Sequence, residues 1–424
     1  MKTSELKQLL REGALAKYSE LYADLSYQTE RMIKAIDRFS EMYGEDRDVA
    51  LFSVPGRSEI MGNHTDHNHG CVLAGAIDRD IIAVASKNDD GVVRFHSEGY
   101  PEDVVSIGDA KSPQNFKKNT SRSLVGGVMN AFMKNGHKVG GYDAYSTTEV
   151  LKGSGISSSA AFEVMVGNVM NHFYNDGAVD NKEIAKYSQY AENEFFGKPS
   201  GLMDQMACAV GGFVYIDFES PKAPVVEPID FSLTRAGYSL CIVNTGGNHA
   251  NLTDDYASVP REMKAVAATF GREVLRGLTE ADVLSCASEL RHTVGDRALL
   301  RSLHFIRENE RVEKARAALL SSSVSDFLGL VLESGRSSFE YLQNVYTTKN
   351  VSEQGLSLAL CVTDGILRDK GCAFRVHGGG FAGTIQVFVK NEYADEYCAA
   401  IDSVLGSGSA MKLNIRPRGA VKLF

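Results

Sequence analysis

The chain has 424 residues, 43% of them apolar, and its 45 Lys+Arg against 54 Asp+Glu give a formal net charge of −9. That length suits two or three domains of roughly 100–200 residues each. The apolar share excludes a disordered chain, and an evenly acidic chain lacks the basic stripe that sequence-independent nucleic-acid binding needs.

The elements run as follows. Residues 4 to about 43 predict helix, with faces of Leu6, Leu9, Leu10, then Tyr18, Leu21, Tyr22, then Met32, Ile33, Ile36, Phe39. They read as an amphipathic arm packed on the body. Val49–Val54 predicts a strand ended by Pro55-Gly56, and Leu73–Ser86, Val92–His96 and Val104–Ile107 predict further strands. Leu124–Asn135 predicts helix, Tyr142–Leu151 strand, and Ala160–Tyr174 and Glu183–Phe196 two more helices. Val210–Phe218 and Tyr238–Asn244 predict strands. Between them residues 219–237, with Pro221, Pro224 and Pro228, predict a linker. Residues 259–344 and 351–367 predict helices. Ala373–His377, Thr384–Val389 and Ala420–Phe424 predict strands, with a helix near 391–405.

Seven cysteines are dispersed, at 71, 208, 241, 286, 361, 372 and 398, with no C-x-x-C pair. They predict buried reduced thiols rather than disulfides or a zinc site. The opening Met1-Lys2-Thr3-Ser4-Glu5 leads into no apolar signal core, and no run reaches the ~18 apolar residues of a membrane span. A cytoplasmic protein with neither membrane nor nucleic-acid partner is expected. Many of the 40 glycines cluster in loops where backbone must approach something closely.

Four segments concentrate polar chemistry. In Gly153-Ser154-Gly155-Ile156-Ser157-Ser158-Ser159-Ala160-Ala161 a strand leads in and a helix leads out. Backbone N–H groups and the helix N-terminus there suit an anion, and the serines suit phosphate or magnesium. A plain Gly/Ser helix cap is the alternative. In His377-Gly378-Gly379-Gly380-Phe381-Ala382-Gly383 the G-x-G-x-x-G spacing is followed by strand, not by the helix a dinucleotide fold requires. An oxyanion loop would need a G-x-S-x-G elbow, which the chain lacks, so a tight hairpin remains. Gly56–Gly70 carries Arg57, His64, Asp66, His67 and His69 after a buried-type strand. It reads as a sugar-binding loop, a metal site or a solvated turn. In Ala191–Gln205 a helix bearing Glu192 ends at Gly197, and Asp204 follows among Leu202, Met203 and Met206, either paired structurally or poised as a base.

Together these segments resemble the galactokinase branch of the GHMP small-molecule kinases. Gly56–Gly70 is similar to the signature G-R-x-N-x-I-G-E-H-T-D-Y-N-G-G, and Leu151–Ala161 to the phosphate loop P-x-G-x-G-L-S-S-S-A-A. Ala191–Gln205 is similar to A-E-x-x-F-x-G-x-P-C-G-I-M-D-Q, and His377–Gly383 to T-G-G-G-F-G-G. The resemblance implies an α+β (mixed α/β) chain of two domains, ribosomal-protein-S5-like then ferredoxin-like. The expected boundaries are 1–45 for a helical extension, 46–225 and 226–424. It implies transfer of phosphate from ATP, with magnesium, to the anomeric hydroxyl of a hexose, galactose first, by a monomer or small homo-oligomer.

By the same resemblance, Asp204 is the base and Arg57 its partner near the γ-phosphate. Glu59, Asn63, His64, Asp66, Gly201 and Tyr256 meet the sugar. Gly153, Ser154, Gly155, Ile156, Ser157, Ser158, Ser159 and Ala160 cradle phosphates, with Leu124 near the adenine. Ser158, Ser159 and Glu192 hold magnesium. Glu59 stands where the signature has Asn, Asn63 where it has Glu, His67 where it has Tyr, and Ser200 where it has Cys. Asn63 removes a negative charge expected at the sugar's C6, so galacturonate or another hexose or hexosamine is the alternative acceptor. A non-catalytic sugar and nucleotide sensor on the same fold is the reading from another class.

Overall fold

The computed structural model describes residues 1–150, 155–198, 200–247 and 252–424. Its strands are β1 (Ala50–Met61), β2 (Cys71–Lys87), β3 (Val92–Ser97), β4 (Asp103–Ser106), β5 (Tyr142–Thr148), β6 (Phe213–Asp217), β7 (Val225–Ile229), β8 (Tyr238–Asn244), β9 (Ala373–His377), β10 (Thr384–Lys390), β11 (Ala410–Leu413) and β12 (Val421–Lys422). The first sheet runs β12-β1-β2-β5-β3-β4, with β6 on the near end of β2 and β7 outside β6. All its pairs are antiparallel except β3 with β5. The second sheet is fully antiparallel, in the order β11-β8-β10-β9. Helices between β8 and β9 and between β10 and β11 complete a βαββαβ arrangement, the ferredoxin-like pattern expected of this half.

Several local expectations change. β1 does not stop at Pro55-Gly56; it continues to Met61, with register shifts between Pro55 and Arg57 and between Glu59 and Met61. A proline lacks the N–H of a regular ladder and is tolerated at such a bulge. Arg57 and Glu59 therefore sit on a strand, not in a loop. The proline-containing 219–237 segment includes β7, an outer strand paired only with β6, where Pro228 breaks no central ladder. Strand β11 had no sequence signal. The cysteines are all free, but Cys286 and Cys361 are exposed rather than buried.

The main core lies between the first sheet and the helices Ser121–Lys134, Ser158–Tyr174, Asn181–Tyr190 and Met203–Val210. Thr120 and Asp180 cap two of these by accepting from Ser123 N and Lys182 N. The N-terminal helices Thr3–Arg11 and Leu25–Tyr43 cover part of the sheet's other face. There Leu6, Leu10, Met32, Ile36 and Phe39 pack with Leu51, Ile82, Val84 and Tyr145. A third core fills the space between the second sheet and the helices Gly355–Leu367 and Asn391–Leu405. Among the described residues no helix is long and apolar enough to cross a membrane.

Candidate active site

Three of the four sequence segments converge on one carboxylate. Asp204 lies in the first turn of the helix Met203–Val210. Arg57, from β1, donates Nε–H to Asp204 Oδ1 at 2.7 Å, and Ser157 donates its hydroxyl to Oδ2 at 2.5 Å. Arg57 also donates Nη1–H to Gly155 O at 2.6 Å and its backbone N–H to Ile156 O at 3.1 Å. The strand can lie this close because of Gly56, where a Cβ would fall 2.7 Å from Ile156 O. Ser157 has a left-handed φ of 63° and precedes the helix Ser158–Tyr174, so its hydroxyl serves Asp204 rather than capping that helix. Burial alone would raise the Asp204 carboxyl. The Arg57 charge and hydrogen bond, the Ser157 hydroxyl and Lys198 reverse it, and Asp204 titrates below the ordinary carboxylate value.

Beside this pair lies a set of hard oxygen donors. Ser158 and Ser159 open the helix Ser158–Tyr174, followed by buried Ala160. Glu192 is buried in a π-turn over Ala191–Phe196. Its Oε1 accepts from Lys198 Nζ at 2.8 Å and its Oε2 from Gln205 Nε2 at 2.8 Å; Gln205 also donates to Glu163 Oε2 at 3.1 Å. Glu163 Oε1 is buried without a hydrogen-bond partner among the described residues. Burial first, and then the Glu192 charge, push the Glu163 carboxyl well up. A buried carboxylate pair with an orphaned oxygen, one of the two carried by the helix that Ser158 and Ser159 open, fits a hard divalent cation. Gly153 and Ser154 lie outside the described residues. Leu124 is buried on the helix Ser121–Lys134, which closes on the π-turn through Gly127, where a Cβ would meet Ala191 at 2.6 Å.

The 62–70 loop, which carries Asn63, His64 and Asp66, lies against the Gly-rich hairpin of β9 and β10. His64, with φ 58°, donates Nε2–H to Gly379 O at 2.8 Å. Asp66 Oδ2 occupies the space that a Cβ at Gly201 would fill, 2.7 Å away. Burial, offset in part by His64, raises the Asp66 carboxyl. Tyr256 packs on Gly379 and donates its hydroxyl hydrogen to Gly380 O at 2.8 Å. Asn63 departs from the expectation that its amide faces the sugar. Its Nδ2 donates to Glu59 Oε1 at 2.8 Å and Gly378 O at 2.6 Å, while its Oδ1 accepts from Asn344 Nδ2 at 2.6 Å and Ser338 Oγ at 3.5 Å. His67 is neutral, its pKa brought to about 3 by burial and by His64. Among the described residues, the one group of three or more His, Cys, Asp or Glu donors within reach of a common ion is Cys71, Asp217 and Glu313. The metal reading of His64, Asp66, His67 and His69 finds no such convergence.

Three residues entered the site without a sequence signal. His304 and Glu308 come from the distant helix Asp296–Leu320, and Asn344 from just beyond the π-turn Ser338–Leu342. His304 Nε2 donates to Asn63 O at 3.0 Å, and Glu308 accepts from Gly62 N at 3.1 Å. His377 bridges the two halves, contacting Ser58 Oγ at 3.2 Å and Thr384 Oγ1 at 2.8 Å. Lys198 and Gln205 lie within the fourth segment, where their position beside Glu192 and Asp204 was the available clue.

The family described as galactokinase galactose-binding signature matches residues 37–87, and that described as GHMP kinases N terminal domain matches residues 123–212. The galactokinase of Streptomyces coelicolor is 31% identical over 374 residues, covering 88% of this chain and 92% of the relative. That of Clostridium tetani is 30% identical over 364 residues, covering 84% and 88%. In fold, the chain is similar to Lactococcus lactis galactokinase complexed with galactose, with a TM-score of 0.75 at 21% identity over 91% of this chain and 98% of that one. Methanococcus jannaschii mevalonate kinase follows at a TM-score of 0.60 and 14% identity, over 87% and 98%. The two family matches contain Arg57 and Asp204, and the similarity to the Streptomyces coelicolor relative extends across both sheets: the chain belongs to the galactokinase family of the GHMP kinases.

Proposed function

We propose that this protein is a galactokinase: an ATP-dependent sugar 1-kinase that converts galactose and ATP to galactose 1-phosphate and ADP. The observation that carries the reading is the Arg57–Asp204 pair, tied to both Gly155 and Ser157 of the phosphate loop. Asp204 accepts the proton of the anomeric hydroxyl as that oxygen attacks the γ-phosphorus. The bond from the γ-phosphorus to the bridging oxygen breaks, and ADP leaves with that electron pair. Arg57 keeps Asp204 ionised and offsets charge on the transferring group. Gly155–Ala160 cradle the phosphates at a helix N-terminus, and Leu124 gives the adenine an apolar wall. His64, Asp66, Gly201 and Tyr256 shape the sugar pocket against the Gly378–Gly380 turn. Glu192 with Ser158 or Ser159 would hold magnesium, which supplies charge neutralisation across the phosphate oxygens. The sugar and nucleotide then lie between the two sheet units.

The deciding experiment measures ADP release with magnesium, ATP and a panel of galactose, galacturonate, N-acetylgalactosamine and glucose. Galactose-dependent ADP with stoichiometric sugar 1-phosphate is expected. A folded protein that binds galactose and ATP yet releases no ADP with any sugar would establish the sensor reading instead.

A further inference from the structure

Asn63 has no hydrogen-bonding capacity left for a ligand. Its two amide hydrogens go to Glu59 and Gly378, its amide oxygen faces Asn344 and Ser338, and it is fully buried. Glu59 is different. Its Oε1 is held by Asn63, but its Oε2 has no hydrogen-bond partner among the described residues and is not one of their sealed, unpaired polar atoms. On β1, Glu59 pairs with Ala74 and Arg57 with Ala76, so the two side chains leave the same face of the strand. That face is where Arg57 meets Asp204. Ser58, between them, points the other way, to His377 and Gln386. The charge of Glu59 is felt by Arg57 on one side and Arg375 on the other. Glu59 is thus a nearly buried carboxylate, 9% exposed, with one oxygen anchored and the other without a partner among the described residues, on the strand face that carries Arg57.

We propose that Glu59, positioned by Asn63, is the specificity-determining residue of the acceptor site. Its Oε2 accepts a hydrogen bond from a hydroxyl of the hexose beyond the anomeric end, and its charge rejects a carboxylate there. This rests on the sugar-kinase reading and names the substrate class within it: neutral hexoses, with hexuronic acids excluded. The negative charge that position 63 lacks is present at position 59, so the site is not opened to an anionic sugar. With Asp66 and Asp204 close by, Arg57 is already paired and offers a uronate no free counter-charge.

The test compares the full chain with Glu59→Gln, a variant whose amide oxygen still accepts from Asn63. Galactose and galacturonate are compared by ADP release, and by calorimetric binding in the absence of ATP. The wild type should favour galactose by at least ~100-fold, the scale of a like-charge juxtaposition. Glu59→Gln should raise the KM for galactose about tenfold, more than it lowers kcat, as expected for a lost ligand contact. It should also shrink the galactose-to-galacturonate ratio, which a purely structural role would leave alone. The reciprocal double variant, Glu59→Asn with Asn63→Glu, should recover galactose binding relative to either single change. Wild-type preference for galacturonate, or an unchanged ratio in Glu59→Gln, overturns the proposal while leaving the kinase reading intact. Absence of turnover and of binding for every sugar overturns the kinase reading itself.

Discussion

At Asp204 two opposing effects act on one carboxyl: burial would keep its proton on, and Arg57 at 2.7 Å with Ser157 at 2.5 Å takes it off. A base must be deprotonated to act, so the acidic limb of kcat/KM should lie below the ordinary carboxylate range. Ser157→Ala removes one stabilising hydrogen bond and should move that limb upward, and Arg57→Met should move it further, because the largest opposition to burial is then gone and only Ser157 and Lys198 remain. A pH profile of the residual activity reads both shifts; a limb that stays in place would show that another group titrates. Asp204→Asn should lower kcat by ~10²–10⁴-fold, the usual range for a lost general base. Circular dichroism should show the fold retained. These residues were legible because their chemistry is concentrated in short segments, where one Asp among apolar neighbours or one Arg after a strand stands out.

The strands, helices and turns that carry those side chains were less legible where a local rule is overridden by tertiary pairing. Pro55 signals a strand end, yet β1 passes through it, because a bulge absorbs the missing donor and β2 supplies partners on both sides. Asn344, His304 and Glu308 could not have been found from spacing, since each meets the 62–63 turn only through long-range packing. Gly62 itself adopts φ 99°, and a Cβ there would lie 2.6 Å from Cys71 O and 2.7 Å from Val72 Cα. Gly62→Ala should therefore destabilise by ~2 kcal/mol or more, read as a fall in the urea midpoint. Glu308 anchors the same turn from the helix Asp296–Leu320. Burial opposes its ionisation, but Arg311, His304 and Arg375 prevail and bring its pKa to about 2. A folded pKa below the unfolded one gives stability that is present above roughly pH 4.3 and is lost as pH falls toward the folded value. Glu308→Gln should cost ~3–5 kcal/mol near neutrality by taking the buried counter-charge from both Arg311 and Arg375. It should also flatten the acid side of the stability curve, measured by urea unfolding from pH 7 to 3.

Over the whole molecule, Asp80 in β2 gathers distant parts of the chain. It is fully buried and paired with Arg31 at 2.7 Å and Arg416 at 3.1 Å, while Arg31 also reaches Glu149 at 3.1 Å beside the strand that leads to the phosphate loop. Removing residues 1–43 would strip Asp80 of Arg31 and expose the faces of Leu51, Ile82 and Val84. Five fully buried arm side chains at ~1.5–3 kcal/mol each together match the whole net stability of an ordinary domain. The truncated chain should be insoluble or rapidly cleaved in limited proteolysis; a truncation melting like the full protein would show the arm to be dispensable. The two-sheet plan was legible in outline because alternating and helical periods are local, whereas the way the ends of the chain meet was not. Phe52 pairs with Lys422 and Ser53 with Val421, so β12 covers an edge of β1 that is synthesised some 370 residues earlier. During translation that edge stays an open template for mispairing until the last strand emerges. The first sheet thus stays unfinished while some 370 residues are made, and that interval is when a nascent chain of this kind most needs a chaperone.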